Sequence, residues 1–290
     1  MILITGATGL VGATLVHEFQ AHKERIRILT RDSKNAERFK DDPYVEVVVG
    51  DMQKPDALSD VLLGVDKAVL ISSADPLAMA ETQIAFIDAA QKAGVKHLIK
   101  LSCLHPDKNS PALFLRMHAE IEKRLKNSSI DWTLIRPAHF MQMYLMNAQT
   151  ISEQNAIFMP MGSAHVAPIA LEDLAKVFYK VLTTEGHERK IYELSGPESL
   201  TLDDIAKQFS RVLGRTINYV NITPEQLGEQ LTAFGMPAQL IEAINELYGE
   251  RRQDSEAEVL LGTHRAFGIK PTTFSEFVIR NKAVFGGASM

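Results

Sequence analysis

The residues whose spacing carries the most chemistry come first in the chain. Thr5-Gly6-Ala7-Thr8-Gly9-Leu10-Val11-Gly12 sets glycines at 6, 9 and 12 between a short apolar run and an amphipathic one. A strand that enters a helix through such a turn offers a tight bend, backbone that an anion approaches without meeting a side chain, and free N–H groups at the positive end of the helix dipole. That is a cradle for a pyrophosphate, built from Gly6, Ala7, Thr8, Gly9, Leu10, Val11 and Gly12. Its first interval is one residue longer than in G-x-G-x-x-G, and no Lys-Ser/Thr pair follows, so the turn suits a dinucleotide and not a Walker A loop.

Eighteen positions beyond Gly12, Thr30 stands at the tip of the second predicted strand, where an NAD-binding sheet carries an acid for the ribose 2′-hydroxyl. Thr30 is neutral, Arg31 follows it and Lys34 comes one turn later, two cations where a 2′-phosphate would lie. Two alternatives stay open: Asp32 turned inward to the 2′-hydroxyl of NAD, and Arg31 and Lys34 as plain solvated charges.

A proton donor is harder to find. Four residues after Tyr44, Tyr144, Tyr179, Tyr192, Tyr219 and Tyr248 come Val48, Ala148, Thr183, Gly196, Thr223 and Arg252, so Y-x-x-x-K is absent. Phe114 and His118 have that spacing on a predicted helix, where His118 is either ligand-facing or an ordinary surface histidine. Nine histidines and one cysteine show no metal-ligand spacing; His17 and His22 are five apart, not the four of H-E-x-x-H. Cys103 is either a thiol near the site or a small buried residue, and Phe140, Met141, Met143, Tyr144 and Met146 line either an adaptable aromatic pocket or plain core.

The elements that must position these groups alternate. Met1 to Thr5, Ile26 to Thr30, Val45 to Val49, Ala68 to Ser72, His97 to Ser102 and Trp132 to Arg136 read as strands, with helical patterns over 10–22, 34–39, 55–62, 78–93 and 111–126 between them. Strands apolar on both faces, each followed by a helix, predict an α/β fold with a doubly wound parallel sheet of Rossmann type. Beyond Pro137 the pattern turns mostly helical, over 171–183, 200–213, 224–234 and 237–248, with turns at 159–164 and 195–199 and a short strand at 217–220. The division expected is a dinucleotide-binding domain over 1–139, with 165–184 returning to it, and a smaller, mostly helical C-terminal lobe over 140–164 and 185–290 that roofs the strand ends and supplies the substrate pocket.

With 290 residues, 46% hydrophobic and 23% charged, the chain has ordinary globular composition and ample core. A net charge of −5 disfavours a basic footprint for nucleic acid or anionic lipid. A lone cysteine suits a reducing compartment, and the absence of a leader or a long apolar run leads us to expect a cytoplasmic protein without a membrane segment.

The T-G-A-T-G-x-x-G start, Thr30-Arg31, Gly50-Asp51, Ile71-Ser72-Ser73, His118-Ala119-Glu120-Ile121-Glu122-Lys123 and Leu134-Ile135-Arg136-Pro137 leading to Phe140-Met141 form an ordered set running from Met1 to about Phe285. In that set the sequence resembles the atypical NmrA-like branch of the short-chain dehydrogenase/reductases, which includes NAD(P)H:quinone reductases, triphenylmethane dye reductases and redox-sensing regulators. The resemblance implies NADP(H) as cofactor, with Arg31 at the adenosine phosphate, Asp51 and Met52 at the adenine, and Ser72, Ser73 and Ala74 beside the ribose. Pro137 falls on the cofactor side, Ser102 at the strand end that holds substrate, and His118 in the place of the missing lysine. Asp51 also reads as a turn cap, and the small residues at 72–74 as an ordinary tight turn. The implied activity is hydride transfer to a small conjugated acceptor such as a quinone, contacted by Phe140, Met141 and Tyr144, in a monomer or homodimer. A cofactor-binding sensor without turnover is the alternative; a sugar-nucleotide epimerase ranks below both, because it needs the absent Tyr-Lys pair.

Overall fold

The computed structural model describes residues 1–54, 58–72, 75–76 and 78–287. The first half of the chain runs β1 (Ile2–Ile4), α1 (Leu10–Ala21), β2 (Ile26–Thr30), a 3₁₀ segment (Ser33–Phe39), β3 (Val45–Val49), α2 (Ser59–Leu62), β4 (Lys67–Leu70), α3 (Met79–Lys92), β5 (His97–Leu101), α4 (Leu113–Lys126) and β6 (Asp131–Pro137). A second 3₁₀ segment (Met141–Asn147), α5 (Ala148–Gln154), β7 (Ala156–Met159), β8 (His165–Val166), α6 (Leu171–Thr183), β9 (Lys190–Leu194) and β10 (Leu200–Thr201) follow. The chain closes with α7 (Leu202–Leu213), β11 (Asn218–Asn221), α8 (Pro224–Ala233), α9 (Ala238–Arg251), α10 (Gly262–Phe267), α11 (Phe274–Arg280) and α12 (Lys282–Phe285).

The chain divides into two compact units. Unit 1 takes Met1–Asn109, Leu115–Arg136 and Leu174–Tyr192; unit 2 takes Ser110–Phe114, Pro137–Asp173 and Glu193–Met290. One seven-stranded sheet has the order β3-β2-β1-β4-β5-β6-β9, the doubly wound arrangement in which strand order reverses between β1 and β4. Strands β1 to β6 pair in parallel, with Ile4 opposite both Ile28 and Val69, and Lys100 opposite Leu70 and Leu134. Parallel pairing puts every βα turn of these strands on one edge, so the turns after Ile4, Thr30, Val49, Leu70 and Leu101 share it. Helices cover the sheet because its strands are apolar on both faces: Leu3, Ile4, Ile28, Val69, Leu98 and Ile99 have no exposed surface.

Unit 2 holds two small sheets, β7 with β11 in parallel and β8 with β10 antiparallel, beside α7 to α12. Its core is aromatic: Phe209, Phe274, Phe277 and Phe285 meet edge-on or tilted, and Tyr144 joins them 5.1 Å from Phe274. Among the described residues no helix is long and apolar enough to cross a membrane.

Candidate functional site

The glycine turn is held by its neighbours before any ligand arrives. Thr5 carries its hydroxyl between the carbonyls of Val69 and Ile71, at 2.9 and 2.7 Å, and accepts from the Ile71 N–H at 2.9 Å, which ties the end of β1 to the end of β4. Gly6 has φ +62°, and a Cβ there would lie 2.8 Å from the Ile71 carbonyl oxygen. A Cβ on Gly12 would lie 2.2 Å from the Gly6 carbonyl oxygen, well inside any real contact, whereas Gly9 meets its nearest atom at 3.4 Å. So Gly6 and Gly12 are required by packing, and Gly9 keeps the mouth open. Ala7 is buried, Thr8 and Val11 are half-buried, and Leu10 is 51% exposed at the start of α1. No acidic residue stands in the first turn of α1 and no side chain caps it, so its N–H groups face outward unanswered by a carboxylate.

At the tip of β2, the Thr30 hydroxyl donates to the Asp32 carbonyl at 2.8 Å. An oxygen of the Asp32 carboxylate accepts from the Lys34 N–H at 2.9 Å, capping the 3₁₀ segment. The alternative of Asp32 turned to a ribose thus competes with a cap already formed. Arg31 and Lys34 are exposed. Arg38, which sequence reading passed over, donates to the Thr8 carbonyl at 3.3 Å and adds a guanidinium beside the glycine turn. Asp51 accepts from the Gln53 N–H at 3.0 Å, as a turn cap does, and Met52 beside it is buried. Ser72 accepts from Gln83 at 2.8 Å; the readings placed on Ser73 and Ala74 lie outside the described residues. Pro137 ends β6, buried.

Two polar networks lie below this edge in unit 1. In the first, Ser102 donates its hydroxyl proton to Glu122 at 2.7 Å, and the same carboxylate accepts from Arg136 at 2.9 and 2.6 Å and from Lys126 at 3.1 Å. Burial works against the Glu122 charge, but the hydrogen bonds from Arg136 and Ser102 outweigh it and hold the carboxyl below its ordinary value. Ser102, which the resemblance puts at the strand end that holds substrate, is buried here with its hydroxyl donated to Glu122. Arg136, next to last in β6, is the main partner of that carboxylate.

In the second network, Lys100 has no exposed surface, and its ammonium lies 2.9 Å from Gln83 Oε1, 3.0 Å from the Leu101 carbonyl and 3.1 Å from His118 Nδ1. Burial lowers Lys100 to about 8, and burial together with the Lys100 charge holds His118 well below the usual histidine range. His118 is a half-buried residue of α4, and its Nε2 makes no hydrogen bond among the described residues. Sequence reading missed Lys100, though a lysine inside the apolar strand His97–Leu101 was the available signal.

In unit 2, Met141 and Tyr144 are core residues at 1% exposure, Phe140 is half-buried, and Met143 and Met146 are exposed. The methionines therefore do not form one face. Tyr144 OH and both ring nitrogens of His139 are buried without a hydrogen-bond partner, the rings 5.3 Å apart and perpendicular. Burial raises the Tyr144 phenol, and burial with the nearby Arg251 charge keeps His139 neutral. Arg251 itself pairs with Glu256 at 3.2 Å.

Comparison with known proteins adds a family and its members' activities. The model of the NmrA-like family matches residues 1–278. An NAD(P)H azoreductase of Xenophilus azovorans is 36% identical over 290 residues, spanning 99% of this chain and 100% of that protein. The structure of an NADPH-dependent quinone oxidoreductase from Escherichia coli complexed with NADPH superposes with a TM-score of 0.87 at 28% identity, covering 97% of this chain and 99% of that one. Triphenylmethane reductase of Citrobacter sp., complexed with NADP(H), gives a TM-score of 0.86 at 25% identity over 97% of this chain and 99% of its own.

Proposed function

The chain belongs to the NmrA-like family, and from that premise we propose that it is an NADPH-dependent reductase that delivers hydride to a quinone or a similarly conjugated small acceptor. The observation that carries this reading is the glycine turn: Gly6 and Gly12 leave no room for side chains, and the N–H groups of α1 stand open without an acidic neighbour. The relatives reduce azo and quinone compounds with NAD(P)H by their names, which agrees with a turn of this kind.

When bound, the nicotinamide supplies two electrons and a proton as hydride. The chain's own residues orient it. Gly6 to Gly12 seat the pyrophosphate, Arg31 with Lys34 meets the 2′-phosphate, Asp51 and Met52 flank the adenine, and Ser72 borders the ribose. His118 faces the acceptor. Phe140, Met141 and Tyr144 are the proposed acceptor contacts; Phe140 is half-buried, and Met141 and Tyr144 lie in the core of unit 2. No tyrosine has a lysine four residues on, and Phe114 stands where that tyrosine would be, so acceptors that delocalise the incoming charge suit this site better than simple ketones.

The test is NADPH oxidation with a panel of quinones, azo dyes, triphenylmethane dyes, aldehydes and ketones. Turnover with the conjugated acceptors and little with ketones is expected. Cofactor binding without any turnover would instead make the chain a sensor, and efficient ketone or sugar-nucleotide conversion would refute the reading.

Cofactor choice has its own expected result. Arg31→Ala should weaken NADPH far more than NADH, by about 1–3 kcal/mol, the size of a lost charge-assisted contact. Fluorescence titration of both cofactors decides it. Equal losses would move the 2′-phosphate away from Arg31, with Arg38 the next guanidinium to replace.

A further inference from the structure

The partners of Lys100 determine a proton position. Its Nζ has three neighbours within hydrogen-bond reach: Gln83 Oε1, the Leu101 carbonyl and His118 Nδ1. Both oxygens only accept, so a three-donor ammonium satisfies the set if Nδ1 accepts as well. Gln83 is oriented for this, since its Nε2 donates to Ser72 and turns Oε1 toward the lysine. With its lone pair on Nδ1 engaged, a neutral His118 must carry its hydrogen on Nε2, the nitrogen without a partner among the described residues.

We infer that Lys100 is a positioning residue that fixes His118 as the Nε2–H tautomer and feeds it the proton that the reduced acceptor takes up, in place of the missing Tyr-Lys pair. This rests on the reductase reading above. Hydride arrival leaves an aryl-oxide or amide-like anion on the acceptor. That anion takes the proton from Nε2, Nδ1 takes one from the Lys100 ammonium, and Lys100 is left as a neutral amine. A solvent proton returns through Nε2, and the Nδ1 hydrogen goes back to the lysine. The net change is NADPH, acceptor and one proton converted to NADP⁺ and reduced acceptor.

A neutral imidazole alone is a poor acid, but relayed to a lysine held at about 8 by burial it becomes an adequate one for an aryl oxide, whose ordinary value is about 10. The ionisable groups facing Lys100 are Cys103 and Glu122 besides His118, and both favour its charge. The charge facing His118 is that of Lys100.

Nitrogen NMR of histidine-labelled protein reads the tautomer without any acceptor present. In the wild type His118 is expected neutral with hydrogen on Nε2; hydrogen on Nδ1 overturns the inference, even if no variant folds. Lys100→Met, close in shape and without charge, should release that tautomer and let His118 titrate at higher pH; an unchanged tautomer also overturns it. With a quinone, wild-type kcat should fall as pH rises through about 8, where the ammonium is lost. Lys100→Met should cut kcat at pH 7 by about 10- to 100-fold, at the low end of general-acid contributions, with KM and NADPH affinity held and the limb near 8 gone. Persistence of that limb in the variant refutes the relay. If the wild type reduces no acceptor, the reductase reading fails while the tautomer measurement still decides the placement of the proton.

Discussion

Glu122→Ala is expected to cost about 3–5 kcal/mol of stability at neutral pH, the size seen when one member of a buried ion pair is deleted. The side chain is 3% exposed and gathers Ser102, Arg136 and Lys126 around one carboxylate. Removing it leaves the Arg136 guanidinium, 16% exposed, without its main counter-charge, and it strands the buried Ser102 hydroxyl. Urea unfolding at pH 7 measures the loss. The pH dependence separates charge from packing. The folded carboxyl sits below its ordinary value, so its contribution is fully present above the unfolded value of about 4.3 and disappears as pH falls through the folded one. The gap between wild type and variant should therefore be widest above about pH 5 and narrow toward pH 3. A gap of equal size at both pH values would show that the carboxylate acts by filling space.

Gly12→Ala is the second large effect. The added methyl would meet the Gly6 carbonyl oxygen at 2.2 Å and its carbon at 2.6 Å, both backbone atoms that no rotamer change can move. Either α1 shifts off β1 or the turn opens, at a strain of about 1–3 kcal/mol, and either result misplaces the N–H groups meant for the pyrophosphate. NADPH affinity should fall about 100-fold or more, which corresponds to roughly 2.7 kcal/mol. Gly9→Ala separates the fold from the cradle: its nearest neighbour lies at 3.4 Å and its φ of −81° suits any residue, so stability should hold while the added methyl at the mouth weakens NADPH. Calorimetric titration and thermal unfolding of both variants test this. Unchanged NADPH affinity in both would mean that the turn does not seat the cofactor.

How far the sequence alone revealed this depends on the range of the interactions involved. The strands Ile26–Thr30 and Val45–Val49 and the helix Leu171–Thr183 were read with the bounds they have, because burial on both faces, or on one stripe, is written in local periodicity. The short strand Ala156–Met159 went unread: its four residues look like the lead-in to the turn after Met159, and its partner Asn218–Asn221 lies far along the chain. The strand predicted from Ile217 to Val220 sits one residue later, and the helix read over 200–213 begins with two strand residues. The last two short helices, Phe274–Arg280 and Lys282–Phe285, were missed as well.

At the site, the glycine turn was legible because its need for glycine is met within one strand, one turn and one helix. Lys100 was not, because its three partners come from α3, α4 and its own strand end, and no local pattern shows them together. The commitment of Ser102 to Glu122 was hidden for the same reason, although Glu122 lies in a motif that carries the resemblance and Ser102 stands at the strand end it implies.

The interleaved division of the chain bears on how it is made. Unit 1 closes only with Leu174–Tyr192, and Pro137–Asp173, which belongs to unit 2, comes off the ribosome before that segment does. A nascent chain that has released β6 therefore still lacks the strand that borders it in the finished sheet, and must carry an unpaired edge while the intervening stretch emerges. Unit 2 in turn waits for nearly the whole of translation. Neither unit is available as a contiguous fragment for expression, and the exposed β6 edge makes stalled or truncated products the ones most prone to aggregate.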